Sequence, residues 1–589
     1  MAVPRPSSRS FLARSLLLSG AVLALTSCVG SVDDGPMGPP GSHTMQTGSR
    51  DFTCTPGTAQ DPAIARLSQR QLRNSIDAVV RHYLGNDADT IVPAVMSAAS
   101  LPNDSFGATS DPGQRLYSRA DSAITDNLVA AHARMGVSLG AELSQPARLS
   151  RIAGDCATDG DTSNDAACLD ALVRDLGFWT HRRPLDAAEI DFYRHTVYLD
   201  GDTITQQGVA ELIETMFRQP NFVMHVEGTG DLTDYEVASR LSYQFWDSMP
   251  DQALFDAAEA HELLTDTGFR AQLERVLSDP RADAALSHFL DEWWKRDHAH
   301  AISDSHDPTL DVIAPTVTRD ASLDAAVDAE IHDLFLYALH HGGTFRDFFL
   351  ADSTTTSHPG LAAIYGVSPA VGGELVAVPP ERVGILTRVA ALIPRGDITP
   401  PLVGGGDTHP ILRGVFVRRQ ILCDQIGNPP ANAMMNLPSI DRAHVSPRVA
   451  ADMLTLSGGS CVGCHTSLNA PGYALEQFDA VGQLRTEIQL FDFTTPSIRV
   501  PVDATAILAE SGATVTGGAD LSRVLYATER PSACFARNYV RYTLGRPESE
   551  TTDGCLLHDV DEAIDADRPL MEVLGAAVLS PGFRYRSPN

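Results

Sequence analysis

Two stretches of this chain spell out a helix start in full, and helical periodicity recurs along it while strand alternation is scarce. In Leu67-Ser68-Gln69-Arg70-Gln71-Leu72, Ser68 is placed to accept a bond from the backbone three residues on and Gln71 to return it, with Leu67 and Leu72 as a hydrophobic staple. Apolar Leu72, Ile76, Val79 and Val80 follow at helix spacing and make one buried face. The device repeats at Leu232-Thr233-Asp234-Tyr235-Glu236-Val237, where Thr233 and Glu236 form the box and Leu232 and Val237 the staple, while Ala238, Leu241 and Phe245 extend the stripe. A third stripe, Val209, Leu212, Ile213, Met216 and Phe217, suits a helix ending before Gln219-Pro220, because the residue ahead of a proline avoids helical geometry. Only Leu375 to Val378 and Ile498 to Val502 read as short strands, so the pattern predicts a mainly α fold.

A chain of 589 residues, 43% hydrophobic and 20% charged, can fill several globular cores. Its N-terminus reads as an export signal: Arg5, Arg9 and Arg14 precede the apolar run from Leu16 to Leu25, which is too short to span a bilayer comfortably. Leu25-Thr26-Ser27-Cys28 then resembles a bacterial lipobox, which makes Cys28 the expected lipidated first residue of the mature chain. An ordinary secretory peptide cut nearby is the alternative. The formal charge of −31 becomes −34 once the three signal arginines are gone, which disfavours nucleic acid and anionic membrane faces and suits a basic redox partner or simply a well-solvated surface.

Cysteine usage sharpens this picture. Cys461-Val462-Gly463-Cys464-His465 is the C-x-x-C-H spacing in which two sulfurs form thioethers to one haem and the adjacent histidine reaches the iron. A short-loop disulfide, half a zinc site or a thioredoxin-like pair would use the same residues, but no second Cys/His pair at zinc-finger spacing and no βαβ pattern accompanies the motif. The spacing therefore predicts haem c on Cys461 and Cys464 with His465 as proximal iron ligand. Six cysteines remain, and short separation makes Cys156 to Cys168 and Cys534 to Cys555 the natural staples, with Cys54 to Cys423 left by elimination among fifteen possible pairings.

Several strings also carry a resemblance: Arg66-Leu67-Ser68-Gln69-Arg70-Gln71-Leu72-Arg73-Asn74-Ser75-Ile76, His181-Arg182-Arg183-Pro184-Leu185, Leu232 to Tyr243, Arg413-Gly414-Val415-Phe416-Val417, Gly472 to Gly482, Arg541 to Arg546 and Ser580 to Arg584. In this order they resemble the exported multi-module proteins of planctomycetes and myxobacteria, built from domains of unknown function (DUF1592- and DUF1588-like) with a planctomycete-type cytochrome c module. The resemblance implies a multi-module helical protein with a small c-type-cytochrome-like helical module. We divide it as signal peptide 1–27, flexible linker 28–60, helical modules 61–145, 146–229 and 230–380, a cytochrome-c-like module 381–490 and a C-terminal helical module 491–589. One departure stands out, because Asn469-Ala470-Pro471 replaces the family's Asp-Pro and moves the proline by one, which is expected to alter a loop over the haem edge.

The sixth iron ligand is not evident: Met453, read as core packing on a helix with Val449 and Leu454, Met571, and His444, read as an exposed loop residue, are the candidates. Glu476 and Asp479, three apart and expected on one helix face, are candidate proton donors, and Arg485 a candidate partner for a haem propionate, although capping and structural ion pairs explain the same residues. Trp293-Trp294 and His298-Ala299-His300 suit core aromatics and a solvated loop better than electron or metal sites. No phosphate loop, nucleophile elbow or H-E-x-x-H occurs. The sequence thus points to a lipid-anchored envelope protein, on the outer-membrane side since Val29 is not an aspartate, that passes electrons between a redox partner protein or small molecule and one haem c. The competing expectations are a haem-dependent oxidoreductase or peroxidase acting on an extracellular substrate, and a disulfide-stapled scaffold that binds polymer without haem.

Overall fold

The structure, a computed structural model, describes residues 52–54, 64–106, 116–295, 302–303, 308–393, 408–426, 438–441, 443–457, 461–492 and 494–586. The signal segment with Cys28, most of the linker, and His298 and His300 lie outside these residues.

Helices dominate, and their starts lie where the capping chemistry places them. Helix Gln69–Leu84 begins at Ser68, whose Oγ accepts from the Gln71 amide at 3.2 Å while Gln71 Oε1 accepts from the Ser68 amide at 3.1 Å. Helix Asp234–Trp246 repeats the arrangement with Thr233 and Glu236, and both staples, Leu67 with Leu72 and Leu232 with Val237, are buried. Helix Gln206–Arg218 stops as expected at Gln219, which is extended ahead of Pro220. Among the described residues the strands come only as two-stranded antiparallel pieces: Val376–Ala377 pairs with Ser353–Thr354, and Thr495–Pro501 with Glu487–Asp492.

Two cores result. The first joins residues from Leu67 to Phe255, including the buried faces of Gln69–Leu84, Ala88–Ala99, Asp165–His181 and Gln206–Arg218. Arg182 is central here: it ends helix Asp165–His181 in the left-handed region at φ 58°, and its guanidinium donates to the carbonyls of Phe222 at 3.2 Å and Met224 at 2.6 Å. The second core joins Phe52 and Tyr117 to residues from Leu232 to Val578 and absorbs the tryptophan pair, with Trp293 stacked on Phe289 and its Nε1 donating to the Gln420 carbonyl at 2.8 Å. The first and last strands among the described residues meet at the junction, where Tyr585–Arg586 pairs with Gly230–Asp231 and Ile64–Arg66 with Met224–Val226.

The disulfides correct part of the expected pairing. Cys156 bonds Cys168 as anticipated, but Cys534 bonds Cys423 and Cys555 bonds Cys54. The reason is helix geometry. Cys534 sits near the start of helix Arg530–Leu544 and Cys555 at the start of the next, Gly554–Asp565. At 1.5 Å per residue the first helix carries its chain about 15 Å beyond Cys534 before the turn, whereas a disulfide needs Cα atoms within about 7 Å. Non-reducing peptide mapping is expected to return Cys54–Cys555 and Cys423–Cys534 peptides and no Cys534–Cys555 peptide. Removing the 501-residue link with a Cys54→Ala, Cys555→Ala variant is expected to cost about 2–5 kcal/mol in a denaturant titration.

Candidate functional site

The C-x-x-C-H motif opens helix Cys461–Ala474, which crosses helix Pro410–Phe416 at contact distance. Two glycines allow this. A Cβ on Gly472 would lie 1.8 Å from the Pro410 carbonyl oxygen, and one on Gly414 would lie 1.9 Å from that of Leu468. Between them Arg413, buried on the shorter helix, donates to the carbonyls of Leu475 (2.9 Å), Phe478 (2.8 Å) and Asp479 (2.8 Å) and so folds the turn after the motif helix. The Arg413-to-Val417 string and the Gly472-to-Gly482 string are thus the two halves of one clamp.

That clamp accounts for the carboxylates. Helix Cys461–Ala474 ends before Glu476 and Asp479, so they do not share a helix face, which corrects the sequence expectation. Glu476 is fully buried, accepts from Thr408 Oγ1 at 2.7 Å and faces Arg413 at 3.4 Å and Arg485 at 3.5 Å. Asp479 accepts from the amides of Val481 and Gln483, and Arg485 donates to the Glu476 carbonyl at 3.0 Å. All three work inside the protein, where a buried charge must be matched.

Pro471 lies within the helix instead of shaping a loop. A proline there leaves the carbonyl four residues earlier without its usual donor. Arg418 supplies one, its Nε reaching the Ser467 carbonyl at 3.0 Å. The altered spelling also puts Asn469 one helical turn after His465, and there the two side chains meet, Nδ1 to Oδ1 at 2.9 Å. The hydrogen-bond network fixes which atom donates. Tyr473 gives its hydroxyl proton to Asp452 Oδ1 at 2.6 Å and therefore accepts from Asn469 Nδ2 at 3.0 Å, and Asn469 Nδ2 also donates to Thr455 Oγ1 at 3.0 Å. With the amide nitrogen so used, the amide oxygen faces the imidazole, so His465 donates from Nδ1 and keeps its lone pair on Nε2, which makes no hydrogen bond among the described residues. Burial, reinforced by Asp452, pushes the Tyr473 hydroxyl far above its usual range and keeps it a phenol.

Cys461 and Cys464 are both free thiols and both exposed, whereas the other six described cysteines are all bridged. The donor set at this helix end, two accessible sulfurs and one oriented imidazole nitrogen, has the chemistry of a covalently held haem. Met453 does not pack in the core as expected: helix Pro447–Thr455 buries Pro447, Ala450, Ala451 and Thr455, which turns Val449 and Met453 outward. His444 is exposed, as read from the sequence, and meets Asp441 at 3.0 Å. The relay of Asn469, Tyr473, Thr455 and Asp452 escaped sequence reasoning, although His465, Asn469 and Tyr473 at successive four-residue intervals were its signature.

The crossing helix has its own pH sensitivity. His409 caps Pro410–Phe416 by accepting from the Leu412 amide at 3.3 Å, and burial pushes its imidazole down to about 4. Its folded pKa lies below the unfolded value of about 6.5, so the unfolded chain takes up the proton first as pH falls. Stability is therefore expected to drop by on the order of 3 kcal/mol between about pH 6.5 and about pH 4 and to level off below. Urea titrations across that range should show a shallower drop for His409→Asn, which keeps a capping oxygen and does not titrate.

Residues 232–367 match the family model PSD4, a protein of unknown function (DUF1592), and residues 382–488 match PSCyt3, a protein of unknown function (DUF1588). No curated protein and no solved structure matches the chain.

Proposed function

Starting from a chain in which residues 232–367 match PSD4 and residues 382–488 match PSCyt3, we propose that it is an exported c-type haem protein working in electron transfer at the cell envelope. The observation that carries this reading is the contrast at one helix end: Cys461 and Cys464 stay unpaired and accessible in a chain that bridges its other described cysteines, beside an imidazole whose Nε2 is left free by the Asn469 bond. In this reading Cys461 and Cys464 hold the porphyrin, His465 binds the iron, and the haem supplies a one-electron couple. The chain's own part is orientation. Asn469 fixes the imidazole tautomer and ring plane, Tyr473 and Thr455 fix Asn469, and the Gly414–Gly472 crossing and Arg413 hold that helix on the core. Exposure of both sulfurs would leave a group attached there open to a partner protein, and a formal charge of −31 favours a basic one.

The location follows the same logic. Three bridged pairs suit an oxidising compartment, the Arg-rich apolar N-terminus suits export, and Cys28 suits a lipid anchor on the outer-membrane side. No helix among the described residues is long and apolar enough to cross a membrane. The deciding experiment is a reduced-minus-oxidised spectrum of the full chain made with a haem-attachment system, repeated under carbon monoxide. A c-type spectrum with slow CO uptake supports electron transfer, rapid CO uptake turns the reading towards a haem enzyme, and a colourless protein ends it. Asn469→Leu is expected to keep the thioethers while weakening the hold of His465 on a bound haem about 10–100-fold, so that acid would release His465 one to two pH units higher.

A further inference from the structure

A second site lies away from the motif helix. Where the N-terminal strands, helix Asp234–Trp246 and the last helices meet there is a cavity of about 670 Å³, within the range of small-molecule pockets. Its wall is mostly apolar, with the rings of Tyr243, Phe583 and Tyr585, the side chains of Leu544 and Leu556, and the Cys54–Cys555 bridge. Most charges on the wall are matched within the protein. Arg240 is bound by Glu227 at 2.7 Å, Arg119 by Asp247 at 2.8 Å, and Asp553 by Arg546 at 2.8 Å. Two carboxylates are not so matched: Asp231 makes no ion pair among the described residues, and Asp559 has only the His558 ring at 3.7 Å.

One further polar group faces this space without a partner. His225 meets Tyr243 edge-on at 4.4 Å between ring centroids, and neither of its ring nitrogens is hydrogen-bonded among the described residues. Burial, with Arg182, Arg119 and Arg240 nearby, drives its pKa well below the usual range, so the ring is neutral and offers an acceptor lone pair. Burial also raises the pKa of Asp559, the signature of a carboxylate that lacks a strong cationic partner.

We propose that this cavity binds an organic cation, a primary amine on an apolar body about the size of one aromatic ring. The ammonium group answers Asp231 and Asp559, aromatic faces favour it further, and the apolar body covers the leucines and the bridge. An organic anion would meet unpaired carboxylates within a chain of formal charge −31. The site is independent of haem.

The test is calorimetric titration of the full, disulfide-intact chain with three probes of matched size: 2-phenylethylamine, 2-phenylethanol and phenylacetate. The amine is expected to bind at least about tenfold more tightly than the alcohol, with phenylacetate weakest. Asp559→Asn and Asp231→Asn, whose side chains are at least partly open to solvent, should each weaken the amine about tenfold and leave the alcohol unchanged. Failure of the amine to bind, equal binding of amine and alcohol, preference for phenylacetate, or full amine affinity in both variants would overturn the assignment. The probe ranking is read on the unaltered chain and stands whatever the variants do to folding.

Discussion

A Cys461→Ala, Cys464→Ala double variant, made beside a competent haem-attachment system, is expected to emerge from denaturing electrophoresis with no haem stain, whereas the wild-type chain stains and weighs one haem more than its polypeptide and acyl groups. In the proposed haem protein each sulfur would supply one thioether, and with both gone only His465 would be left to hold the group, through a bond that denaturation breaks. Loss of stain through misfolding would be a different result. Both thiols are exposed and unpaired, so against the wild-type chain made without haem attachment the alanines should leave far-ultraviolet dichroism unchanged and the unfolding free energy within about 0.5 kcal/mol. Single variants should keep one covalent bond and part of the stain. A wild-type chain that stays colourless under the same conditions would refute the haem assignment.

Gly472→Ala is expected to be the most damaging small substitution near the motif. The added carbon would meet the Pro410 carbonyl oxygen at 1.8 Å, its carbon at 2.7 Å and the Gly414 amide nitrogen at 3.0 Å, all of them backbone atoms. A side chain in the way can rotate, but a helix must be displaced bodily, and Arg413 ties this one to three carbonyls beyond the motif. Overpacking a tight interior typically costs about 1–3 kcal/mol, and a rigid backbone obstacle belongs at or above the upper end. Urea titration should show that loss, whereas Gly582→Ala, with nothing within 4 Å of its added carbon, should stay within about 0.5 kcal/mol.

Helix starts were legible because capping is local: Ser68 with Gln71 and Thr233 with Glu236 need only three residues of context. The end of helix Gln206–Arg218 was legible for the same reason, since proline acts on its immediate predecessor. Pairing of Cys534 was not, because its partner depends on the direction of a helix and on the arrival of residue 423 from a distant part of the chain. The carboxylates after the motif show a third kind of limit. Glu476 and Asp479 look chemically available in a linear reading, and only the tertiary arrival of Thr408 and Arg413, together with the turn that brings Arg485 and the Val481 and Gln483 amides back, reveals that their oxygens are engaged. Met453 erred in the other direction, since its helix turns a different stripe inward than apolar spacing suggested.

The Cys54–Cys555 bridge makes nearly the whole polypeptide a closed loop, with consequences for biogenesis. Under the proposed export, a chain emerging from its N-terminal side would present Cys54 ahead of the other five bridged cysteines and Cys555 after them. The early thiol has to survive, unreacted or reversibly bonded, while Cys156, Cys168 and Cys423 appear beside it, and Cys461 and Cys464 must stay reduced in the same surroundings. Thiol exchange takes seconds to hours, so under the proposed export a disulfide isomerase would speed the correction of wrong couplings. Ring closure then becomes the last act of assembly, after which a single cut anywhere between the two sulfurs leaves the fragments joined.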